Sequence, residues 1–170
     1  MKPACIMMLL GALSLCPRGV VAEDSFSPLD TRTRCLVLVR KCLVLIAKKD
    51  VEGIFQNIAD GHASDFRLYP DLDALPADLK QELEDVDRFF AKNFRAASIL
   101  DRSFDAIQFS ALVTAEEPVF VTSTAKDRQV EAKLHSMKFK IKDPETGHYK
   151  LGELSFVQTA DTIYWVPIGW

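Results

Sequence analysis

The sequence predicts an α+β fold: N-terminal helices packed on a bent antiparallel sheet of about five strands, cone-like in shape. Three observations carry this. Apolar residues recur at helical three-and-four spacing over residues 31–97. They alternate singly over residues 103–168. Short turn signals separate the alternating runs, which suits antiparallel neighbours.

Residues 1–22 read as a cleaved signal peptide. Lys2 gives a positive start, Ile6–Leu15 is an apolar stretch, and Val20-Val21-Ala22 offers small residues to a signal peptidase. The stretch is about half the ~20 residues a spanning helix needs, so no stable membrane span is expected. Leu13-Ser14-Leu15 puts a bulky Leu where lipid attachment at Cys16 would need a small side chain. Cleavage after Ala22 makes the protein secreted or periplasmic and leaves residues 23–170 as a single α+β domain. Lys2 and Arg18 leave with the signal, so 21 basic residues become 19 against 24 acidic ones, a net charge of −5. That balance argues against nucleic acid, whose binding is driven by basic surface.

Thr31–Lys49 is the first helix, capped by Asp30 or Thr31, with Cys35, Leu38, Cys42, Leu45 and Ile46 on one stripe. Leu36, Val37, Val39, Leu43 and Val44 extend its apolar surface, so burial on several sides is expected. Cys35 and Cys42 lie two turns apart, roughly 10.5 Å, beyond the ~7 Å a disulfide tolerates. They are expected as buried thiols on one stripe, or as a bridge between chains. Asp50 caps a second helix, Val51–Ala59, which Gly61 stops. His62–Ala74 reads as a loop. Pro76 begins a third helix reaching about Ala97, with Leu79, Leu83, Val86, Phe89, Phe90 and Phe94 inward and an acidic solvated face.

In the second half, Ala106–Val113 is strand one, and Glu116-Glu117-Pro118 turns into strand two, Val119–Thr124. Strand three changes phase: Val130, Ala132 and Leu134 hold one parity, Met137, Phe139 and Ile141 the other. A β-bulge near His135-Ser136 would keep both sets on one face and bend the sheet. Asp143–Gly147 turns into strand four, Tyr149–Gln158, and Ala160-Asp161 into strand five, Thr162–Ile168. Tyr164 and Trp165 must point to opposite faces, one inward and one exposed.

Leu45–Phe55, a helix followed by a charged pair, an Asp and a second helix, together with the closing Tyr164-Trp165-Val166-Pro167-Ile168, resembles the nuclear-transport-factor-two-like superfamily, also described as steroid-isomerase-like or cystatin-like cones. The likeness is architectural and implies a cone with a pocket. That group includes isomerases with a pocket carboxylate, a place Asp105 could take, as well as adaptor subunits and secretion-assembly proteins. The aromatic closing strand also resembles that of outer-membrane barrels, but Pro167 and the helical first half speak against a barrel.

No chemistry announces itself. His62, His135 and His148 lack the short spacing of a local zinc site, and no nucleophile elbow or phosphate loop occurs. No metal or cofactor is expected. Lys138, Lys140 and Lys142 share one face of strand three and could meet an acidic partner or anionic lipid; as a solvated stripe they would protect the sheet from aggregation. The reading reached is an exported, non-catalytic ligand- or partner-binding protein. An apolar small molecule would sit between helices and sheet against Phe109, Phe139 and Trp165; a protein partner and a homodimer are the other possibilities. The alternatives are a small pocket enzyme of isomerase or hydrolase type and an envelope-assembly subunit.

Overall fold

The computed structural model describes residues 28–62, 65–94, 100, 104–142 and 146–167. The expected signal peptide lies outside them, as do residues 95–97 of the expected third helix. The described chain is α+β, with four α-helices and a curled mixed sheet of eight strands.

Helix α1 spans Pro28–Ala47, starting earlier than expected because Pro28 suits a first helical position. Asp30 and Thr31 therefore lie inside its first turn rather than before it. Cys35, Leu38, Val39, Cys42 and Leu43 are buried, whereas Val37 and Val44 are 63% and 46% exposed. One flank of α1 is thus open, which corrects the expectation of burial on several sides. Helix α2, Val51–Phe55, is capped by the Asp50 carboxylate accepting from Gly53 N at 2.9 Å. It stops short of Ala59 because Asn57–Ala59 is drawn into backbone bonds with the last strand. Gly61 is no helix stop but part of β1, Asp60–His62, which pairs antiparallel with β2, Asp65–Leu68. These strands fall in the expected loop; they are short and polar, and Phe66 is fully buried.

The third helix is two: α3, Ala77–Glu82, and α4, Val86–Asn93. Asp85 breaks the run by capping α4, its carboxylate accepting from Arg88 N at 2.9 Å. One acid of the expected solvated face is therefore a cap. The remaining strands are β3, Gln108–Phe109; β4, Val113–Thr114; β5, Val119–Ser123; β6, Arg128–Lys142; β7, Tyr149–Gln158; and β8, Ile163–Val166.

The β6–β7 register runs without interruption from Lys142↔Tyr149 to Lys133↔Gln158, so β6 carries no bulge against its long partner. The extra residue sits across from it. Phe109 pairs with Phe139 and Val113 with Ser136, leaving Ser110–Leu112 opposite only Met137 and Lys138. Ser110 bridges the gap, donating its N–H to Lys138 O at 2.9 Å and accepting Lys138 N–H on Oγ at 3.1 Å. Expected strand one is thereby split into β3 and β4.

The phase change on β6 has a different cause: the strand serves two cores on opposite faces. Met137 and Ile141 join Leu154, Phe156, Trp165 and the helices in the main core. Ala132 and Leu134 join Phe66, Val119, Val121, Val157, Val166 and Tyr164 in a second one. Tyr164 is consequently half-buried rather than exposed, because both faces of β8 are covered.

The second core exists because the sheet curls. The strand order is β1-β2-β5-β6-β7-β8, with β2 and β5 parallel, so the sheet is mixed rather than antiparallel. Ala59 N donates to Trp165 O at 2.9 Å and Trp165 N to Asn57 O at 3.0 Å, a parallel bridge from the residues just before β1 to β8. The hydrogen-bonded path returns on itself, and the second core lies inside the curl. Helices α1 and α2 pack against the outside with the main core.

Candidate functional site

The three aromatics expected to line a pocket do not stand together. Phe109 and Phe139 are cross-strand partners, ring centroids 6.4 Å apart, both half-buried. Phe104 packs on Phe109 at 5.6 Å, with the Arg40 guanidinium 5.2 Å above its ring. The Phe139 ring lies over Gly152, where an added Cβ would come within 2.3 Å of it. Trp165 is fully buried two strands away. It is also four residues further along β6, about 13 Å at the strand rise. Asp105 is 87% exposed and paired with Arg40 at the surface; it projects into no apolar recess.

Among the described residues of the sheet, His135 is a buried polar side chain, 4% exposed. Its Nδ1 lies 2.9 Å from Thr114 Oγ1 and its Nε2 2.8 Å from Gln158 Oε1. An amide oxygen can only accept, so Nε2 carries the proton and Nδ1 accepts from the Thr114 hydroxyl. Each ring nitrogen thus has a side-chain partner, one on β4 and one on β7. Burial, and secondarily Lys133, lowers the His135 pKa from its ordinary value, while the bond to Gln158 opposes the shift. Sequence inspection places His135 at a bulge; it is instead the polar clasp joining β4 to β6 and β7.

The described residues contain no group of three His, Cys, Asp or Glu placed to hold a metal ion, and no described helix is long and apolar enough to cross a membrane. Burial pushes the Cys35 and Cys42 thiols up to about 12, with Arg34 and Lys41 respectively opposing; both are free.

A different surface stands out. Where β6 and β7 extend beyond the curl, one face covers the main core and the other is open. On the open face Leu151 pairs with Lys140, Tyr149 with Lys142 and Glu153 with Lys138, while Gln108 and Val113 join from β3 and β4. Leu151 is 78% exposed, Val113 61% and Tyr149 57%. The Lys140 ammonium sits 4.0 Å from the Tyr149 ring centroid. Sequence alternation identifies the lysines but not the apolar residues beside them, because Leu151 and Tyr149 read as ordinary inward positions. Three comparisons, with protein-family models, with curated proteins and with solved structures, find no match to this chain.

Proposed function

We propose that this is an exported, non-catalytic binding protein whose interface is the open face of β3, β4, β6 and β7, and whose partner is anionic. The carrying observation is Leu151, 78% exposed near the start of β7 with Lys140 directly opposite. A large aliphatic side chain held on a sheet beside lysines of the neighbouring strand gains by being covered, and the amines select what covers it. The nuclear-transport-factor-two-like cone is retained as the architectural reading. The order of two helices, a strand pair, more helices and then long antiparallel strands supports it.

A photo-crosslinking residue placed at position 151 in the producing cell tests the interface. Adducts should form there and not at the exposed Asp73, on the other side of the sheet. Equal labelling at both positions, or none at 151, refutes the interface. N-terminal sequencing of the exported protein should begin at Glu23, and an intact Met1 would overturn export by a cleaved signal.

A further inference from the structure

We infer that the anionic partner of the open sheet face is a lipid surface: the face docks flat on a bilayer containing acidic phospholipids. The inference rests on the interface reading above and names its occupant.

Its first support is the placement of charge. Segment 128–142 carries five basic residues against Glu131, whereas segment 71–87 carries seven acidic residues against Lys80. Leu79, Leu83 and Val86 of the acidic segment pack onto the main core. That core lies on the side of the sheet away from Lys138, Lys140 and Lys142. The open face itself carries Lys138, Lys140 and Lys142 beside Glu153, a local positive balance that an anionic plane attracts.

Chemistry and spacing of the exposed groups give the second. Lysines on alternate residues of one strand stand about 6.8 Å apart, with long stems that let the ammoniums reach a headgroup layer while aliphatic neighbours dip below it. Tyr149 has the amphipathic ring favoured at that depth. Leu151 and Val113 are four residues apart along β6 and on opposite sides of it, roughly 16 Å from one another by strand geometry. Two apolar contacts that far apart on a sheet face suit a plane better than one anchor in a partner's pocket.

Sedimentation of the purified exported protein with phosphatidylcholine vesicles, with and without phosphatidylglycerol, tests this. Binding should need phosphatidylglycerol and weaken with salt. Each lysine near an anionic surface is worth about fivefold, so changing Lys138, Lys140 and Lys142 together to Gln should weaken binding on the order of 100-fold. Leu151→Asp should weaken it further with the thermal midpoint unchanged, and Lys48→Gln, just after α1, should leave binding unchanged. Absence of binding to phosphatidylglycerol vesicles at low salt overturns the lipid assignment. If a polyglutamate peptide then binds and the triple variant abolishes that binding, the interface stands with a protein partner. Vesicle binding that the triple variant leaves unchanged overturns both.

Discussion

Replacing Gly61 with alanine tests the closed curl directly. Gly61 has φ +135°, and a Cβ built there would lie 2.3 Å from the backbone oxygen of Asp65 and 3.2 Å from Phe66 Cα. Two costs add. A side-chain-bearing residue in that conformation costs about 1–3 kcal/mol, and relief of the clash must move strand backbone, straining hydrogen bonds worth about 1 kcal/mol each. The sum is about 3 kcal/mol, a large share of the 5–15 kcal/mol typical of a domain. At about 2–4 °C per kcal/mol, the thermal midpoint should fall by roughly 6–12 °C. Gly147 is the control: its φ is +71° with nothing within 4 Å of an added Cβ. Gly147→Ala should therefore cost only the left-handed backbone term, about 1 kcal/mol. Urea unfolding of both variants, with unchanged slope, measures the difference. Equal losses, or a Gly61→Ala loss below about 1 kcal/mol, would show that β1 and β2 do not meet as described.

His135 gives a pH prediction. Its folded pKa lies below its ordinary value, chiefly through burial, so in mildly acidic solution the unfolded chain binds a proton that the native chain refuses. The stability from His135 is fully present above about pH 6.5 and is lost as pH falls from there toward the lowered folded pKa. His135→Gln should flatten that part of the stability curve, and an unchanged slope refutes the assignment. For the thiols, Cys35 and Cys42 should resist an aromatic disulfide reagent at mildly alkaline pH in the folded protein and both react in concentrated guanidinium. Rapid reaction of either in the native state contradicts their burial.

The main helices were legible because their signals are local: a three-and-four stripe from Cys35 to Cys42, an Asp50 cap, a Pro76 start. Long strands β6 and β7 were legible by alternation. What escaped depends on partners distant in sequence. Asp65–Leu68 becomes a strand because β5, distant in sequence, supplies the other half of its bonding, and Asp60–His62 because it pairs with Asp65–Leu68. The phase change at His135-Ser136 is visible in the sequence, but periodicity cannot tell a strand that bends from one that buries each face in turn. Only the Val119↔Ala132 and Met137↔Leu154 pairings separate the two. Among the candidate site residues, Phe109 and Phe139 do meet, by strand register, while Trp165 belongs to a core center that no local pattern could distinguish from a lining. Leu151 was missed because its alternation is that of a buried residue, and burial is a property of what covers it.

The bridge from Asn57–Ala59 to Trp165 has a kinetic side. It joins the beginning of the sheet to its last strand, so nearly the whole domain forms the loop that must close. Such closure is entropically late and slow compared with hairpins like β6–β7. A ribosome delivers this chain from its N-terminus, and Asn57–Ala59 therefore waits for its partner strand until synthesis is nearly complete. Until then Phe66 and the inner side of β5 have no lid, and protection of that interval falls to whatever holds the nascent chain.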